Sequence, residues 1–169
     1  MKKLFCLVLV FVLSFSATPS ICESFLMSLY DFSTKFAEAT IFYKTNHADY
    51  FVRENMKAIV DKSGSTLEIE VTTANSSIFL YFPPETKNIS EIIVICQGGS
   101  DFAQDLILLL YELCYATGAF DAVKDTFDFT SEMGLDFQDG KAGYLDRNNK
   151  RYSWLLNYST GFIFTIQPI

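Results

Sequence analysis

EIIVICQGGSDFAQDLILLL, Glu91 to Leu110, is the stretch whose reading decides the fold. Glu91–Cys96 is apolar after its first residue and rich in Ile and Val, which marks a strand near the centre of a sheet. Gly98 and Gly99 turn the chain, and Ser100 and Asp101 open an apolar helix that runs to about Thr117. From Phe102 to Gly118 the polar positions are Gln104, Asp105, Glu112 and Thr117. A helix apolar nearly all round must be covered on nearly all sides. Either N-terminal helices sandwich it, or a second copy does, giving a homodimer through residues 102–117.

Strand–turn–helix corners also carry nucleophiles and phosphate cradles. A nucleophile elbow reads Gly-x-Ser-x-Gly, and in Gly98-Gly99-Ser100-Asp101-Phe102 the second glycine is replaced by Phe102. A phosphate loop ends in Gly-Lys-Ser/Thr, and no lysine is present here. A bare helix N-terminus can hold an anion through its free N–H groups. However, Asp101 already places a negative charge in the first turn. Ser100 and Asp101 read as helix caps, with Ser100 kept as a weak binding candidate.

Upstream of the corner, "TLEIEV" (66–71) alternates apolar and polar residues as a half-buried strand. "SIFLYF" (77–82) is a second strand, stopped by Pro83-Pro84. Earlier still, Phe25, Leu29, Phe32 and Phe36 recur at helical spacing behind a Ser20-x-x-Glu23 capping box, predicting a helix to about residue 43. Phe51, Val52, Met56, Ile59 and Val60 predict a second helix from Ala48 to Asp61. Downstream, Phe120, Val123 and Phe127 predict an amphipathic helix over 120–133. Its outer stripe is Asp121, Asp125, Asp128 and Glu132. "AGYLD", a polar turn at Asn148-Asn149, "RYSWLLNY" and "FIFTIQ" then predict three more strands. Their short turns imply antiparallel neighbours.

The expected fold is α+β in the order α-α-β-β-β-α-α-β-β-β. It comprises a single antiparallel sheet of about five or six strands with helices mainly on one face. This layout resembles secretion-chaperone-like and TATA-binding-like folds. The resemblance is of layout alone and implies no activity.

The N-terminus sets the expected compartment. Lys2 and Lys3 precede ten apolar residues, Leu4 to Leu13, and small residues follow. That order is a secretory signal peptide, too short in its apolar part for the ~20 residues of a membrane span. Residues 1–20 are the expected leader, cut between 16 and 22, and 21–169 one domain. Lipidation at Cys22 is the alternative, although Ile21 is bulky for a lipobox. Removing Lys2 and Lys3 leaves 11 basic against 20 acidic residues, so the net charge moves from −7 to −9. An acidic chain repels nucleic acid, and no Lys/Arg cluster interrupts that charge. The three sequons at Asn75, Asn88 and Asn157 read as chance behind a bacterial-looking leader.

Few groups point to chemistry. The single histidine, His47, lies in the polar link "KTNHADY". A small hydrolase would need it as base for Ser100, or would use paired carboxylates. Cys96 and Cys114 read as buried free thiols, because Cys114 lies ~20 Å along the helix that follows Cys96. Asp121, Asp125, Asp128 and Glu132 could gather a cation, but they lack the close spacing and glycine turn of a calcium loop, so no metal and no cofactor is expected. The abundant aromatics read first as core, and among them Tyr152, Trp154 and Tyr158 are candidates for a surface that stacks on sugar or protein. The sequence thus points to an exported, non-catalytic binding domain with a protein or glycan partner. The alternatives are the hydrolase and a self-associating structural or inhibitory protein.

Overall fold

The EIIVIC run is the middle strand of a seven-stranded antiparallel sheet in the computed structural model. The structure describes residues 27–48, 56–60, 66–71, 76–82, 88–97, 102–124, 129–134, 140–157, 159 and 161–169. In chain order the elements are α1 (Leu29–Asn46), β1 (Met56–Val60), β2 (Thr66–Val71), β3 (Ser76–Tyr81), β4 (Glu91–Cys96) and α2 (Phe102–Ala116). A single helical turn, α3 (Phe129–Glu132), precedes β5 (Ala142–Arg147), β6 (Lys150–Asn157) and β7 (Gly161–Pro168). In space the strands run β1-β2-β3-β4-β7-β6-β5. The fold is therefore α+β with one antiparallel sheet, as the strand patterns imply.

Three sequence expectations are corrected. Residues 56–60, expected inside a helix from Ala48 to Asp61, are strand β1, and Met56–Val60 pairs with Val71–Leu67. Met56, Ala58 and Val60 alternate as well as Met56, Ile59 and Val60 recur at helical spacing, and pairing with β2 decides between the two. Among the described residues the sheet thereby has seven strands, one more than the upper end of the expected range. The helix expected over 120–133 is reduced, among the described residues, to the turn Phe129–Glu132 and a 3-10 step at Val123–Lys124. Asp, Thr and Phe dominate that stretch and are poorer helix formers than Leu, Glu or Lys. The helix expected up to residue 43 begins at Leu29 and runs on to Asn46. The Ser20-x-x-Glu23 box lies outside the described residues. Ser28 caps α1 instead: the Asp31 N–H donates to its Oγ at 3.1 Å, and its hydroxyl donates to Asp31 Oδ2 at 2.7 Å.

Register sorts every strand residue to one of two faces. Ile78, Val94, Phe164 and Trp154 are opposite one another across β3, β4, β7 and β6, and all are buried. Leu80, Ile92, Ile166 and Tyr152 form the next row of the same face. The helices pack here. Phe32, Phe36, Ala39 and Tyr43 of α1 join α2 and this face in one core. From Leu108 to Thr117 every residue of α2 and its end is buried within the single chain. The coverage that the sequence demanded for this helix is thus supplied, over that span, without a second copy.

Among the described residues neither Cys96 nor Cys114 is in a disulfide, and both are fully buried, as their sequence separation implies. Burial pushes the Cys114 thiol well up, and the thiolate is the reactive form. Mapped by mass spectrometry after treatment with a thiol reagent, both residues are expected to label at least about 100-fold more slowly in native than in denatured protein. Rapid native labelling of either would contradict the packing.

Candidate functional site

The face of the sheet turned away from the helices carries three rows. The first runs Glu68, Phe79, Ile93, Thr165, Ser153 and Tyr144. The second runs Ser77, Ile95, Ile163, Leu155 and Ala142. The third is polar: Tyr81 opposite Glu91, then Gln167, Arg151 and Asp146. Ile93 and Ile163 are nearly buried on this face yet lie outside the helix-side core. An open antiparallel face ordinarily alternates out to polar residues. Here only the third row does so fully.

Across β4, β7, β6 and β5 these rows enclose a depression of about 300 Å³. Its floor includes Ile163, Leu155 and Ala142, and its walls include Glu91, Gln167, Thr165, Ser153, Arg151 and Tyr144. That is within the usual size of a ligand cleft, with apolar lining and a few convergent polar groups. Arg151 fixes one wall. Its Nε and one terminal nitrogen donate to the two Asp146 oxygens, each at 2.8 Å. Those bonds hold the Asp146 carboxyl below its ordinary range. The same guanidinium lies 4.6 Å from the centre of the Tyr144 ring. Both members of the ion pair are more than a third exposed, so it is worth at most about 1 kcal/mol. Its consequence is orientation of a planar, charge-compensated wall.

The opposite wall is Glu91. Its Oε1 accepts a hydrogen bond from the Gln167 amide. Burial raises the Glu91 carboxyl above its ordinary value, and the Gln167 bond only partly offsets that. Burial also pushes the Tyr81 phenol up, aided by the Glu91 and Glu68 carboxylates. Glu68 accepts from the Ser77 hydroxyl at 3.1 Å.

Of the sequence candidates, Trp154 is among the residues that line this depression. Tyr152 and Trp154 are 0% and 4% exposed, and both also belong to the helix-side core. The Tyr152 hydroxyl lies 3.3 Å from Thr117 Oγ1. The Trp154 indole donates to the Met133 carbonyl at 3.3 Å. Its ring lies against Gly143 so closely that a Cβ there would be 2.7 Å from Nε1. Tyr158 and Ser100 lie outside the described residues. His47 ends α1, its N–H donating to the Tyr43 carbonyl at 2.8 Å. Of the acidic stripe, Asp125 and Asp128 are outside the described residues, Asp121 is exposed, and Glu132 pairs with Arg147 at 2.9 Å. Among the described residues no three His, Cys, Asp or Glu side chains gather as a metal site.

Sequence reasoning missed Tyr144, which is 64% exposed. The signal was available. A two-residue turn at Asn148-Asn149, both with positive φ, fixes the β5–β6 register. That register sets Tyr144 beside Ser153 and away from Trp154.

A second cavity of about 290 Å³ lies between α1 and strands β2 and β3, lined by Phe32, Phe36, Ile41, Leu67, Ile69 and Leu80 among others. It is almost wholly apolar and offers no convergent polar set to orient a ligand.

No protein family, characterised protein or solved structure was found to match this chain. The fold and the site therefore define only a class, an α+β single-sheet protein with one helix-covered face and one face free of described helices. Among the described residues no helix is long and apolar enough to cross a membrane.

Proposed function

We propose that this protein is an exported, non-catalytic binding module of the cell envelope or extracellular space, and that its ligand occupies the depression over β4, β7, β6 and β5. The observation that carries this reading is the pairing of an apolar floor with the polar ladder Glu91–Gln167–Arg151–Asp146 and the exposed ring of Tyr144. Arg151 and Asp146 neutralise each other, and Glu91 is bonded to an amide. That is an arrangement for recognition rather than for a nucleophile and its base. Export is supported by the charged, apolar and small-residue order of residues 2–20.

The test is an amide-resolved NMR screen of the protein, expressed with its own leader, against saccharides, short peptides and small amines. Shifts are expected to cluster at Tyr144, Ser153, Thr165 and Gln167. Tyr144→Ala should weaken that response while changing stability by no more than about 0.5 kcal/mol, because the side chain is exposed on an edge strand. Shifts confined to the α1 groove, or none at all, would overturn the assignment of this face.

A further inference from the structure

Resting on that reading of the face, we propose that the depression takes an organic cation, an ammonium group on an alkyl stem. The charges on its walls argue for this first. Arg151 is compensated by Asp146 through two bonds. Glu91 has only the neutral Gln167 amide as its hydrogen-bond partner, and no cation pairs with it among the described residues. The open wall charge is therefore a single carboxylate. An ammonium supplies the donor and the charge that a carboxylate in this setting takes most strongly.

The rest of the depression fits the remainder of such a ligand. Ile163, Leu155 and Ala142, two rows from Glu91 on the same face, give apolar surface for the group that carries the stem. Adjacent rows on one strand are about 7 Å apart, close to the reach of a four-carbon stem. A stem lying over Ser153 and Thr165 would carry its head group towards Glu91. Tyr144 already holds one cation, the Arg151 guanidinium, at 4.6 Å, and its ring remains 64% exposed. The chain as a whole has a net charge of −7, which draws cations in and turns anions away.

The experiment is an NMR titration of the full chain with Nα-acetyl-lysine methylamide and with n-butylamine. The norleucine analogue, which has the stem without the charge, and a neutral hexose serve as comparators. Saturable shifts at Ser153, Thr165 and Gln167 are expected with the lysine compound, and at least tenfold weaker binding with norleucine. Glu91→Gln should weaken lysine binding at least tenfold, whereas Glu68→Gln, on the same face two strands away, should not. If Glu91→Gln does not fold, the lysine–norleucine comparison on the unaltered protein decides. Equal binding of butylamine would support the class and point to a free amine. Preference for the lysine compound would support it and point to a protein partner. Norleucine binding as tightly as lysine, or unchanged affinity in Glu91→Gln, would overturn the proposal. Hexose shifts without lysine shifts would overturn the cation while leaving the ligand face standing. No shifts with any compound would overturn both.

Discussion

Gly161→Ala is expected to destabilise the protein by about 3–5 kcal/mol, a large part of the 5–15 kcal/mol that holds a domain together. Gly161 begins β7 with φ at +102°, a backbone conformation that L side chains rarely adopt. An added Cβ would stand 2.2 Å from the Cys96 carbonyl oxygen and 3.2 Å from its carbon. These are backbone atoms of the central strand, so no rotamer change can relieve the contact. Either β7 must shift off β4 or the turn must reopen. Cys96 pairs with Phe162, and both are fully buried, so a shift there disturbs the core on the helix side as well. Chemical denaturation measures the loss, and a cost under about 1 kcal/mol would show the contact to be easily relieved. Gly118→Ala is the control. Gly118 also has positive φ, at +80°, but nothing lies within 4 Å of the added carbon. It should cost only the backbone strain, about 1 kcal/mol.

Tyr152→Ala is expected to cost a similar 3–5 kcal/mol, and Tyr152→Phe about 1 kcal/mol. The ring is fully buried and packs near Phe164, with centroids 6.5 Å apart. Truncation to alanine would leave a cavity between the sheet and α2, whose lining cannot collapse without moving a strand. Removing only the hydroxyl is milder. Thr117 Oγ1 donates to the Leu113 and Cys114 carbonyls at 2.8 and 3.2 Å, so it keeps acceptors when the phenol is gone. Burial pushes the Tyr152 phenol well up, so it remains uncharged over the whole range in which the protein would be handled. Urea denaturation of both variants separates the two contributions. If Tyr152→Ala cost less than about 0.5 kcal/mol, the residue would be a surface group.

That contrast shows where the sequence was readable. EIIVIC and TLEIEV were legible because strand alternation and a continuous β-branched run have few competing readings at that length. The Asn148-Asn149 hairpin was legible because Asn tolerates the left-handed backbone that two-residue hairpin turns demand, and both residues adopt it. MKAIV was not legible, because five residues can satisfy two periods at once and the deciding interaction is the ladder to Val71–Leu67. The stretch 120–133 misled for another reason. Its carboxylates keep helical spacing, yet its Asp, Thr and Phe content favours other backbone states. The site was legible only in part. Alternation shows that half of the aromatics must lie on each face, but not which half meets the helices. Gly143 held the answer. A glycine opposite Trp154 lets the indole lie flat across β5, which commits Tyr152 and Trp154 to the core and leaves Tyr144 outside. The open carboxylate of Glu91 was not visible at all, because it depends on Arg151 choosing Asp146 across the hairpin.

The strand order has a consequence for how this chain becomes a protein. β1 to β4 are laid down in sequence, each beside the last, but β4's other neighbour is β7, the last strand in the chain. Ile92 waits for Ile166, 74 positions further on. Until that segment has left the ribosome, the middle of the sheet has an unpaired edge and α2 lacks part of its cover. Long-range pairing of this kind is slow and comes late. A nascent chain of this topology is expected to complete its central strand last.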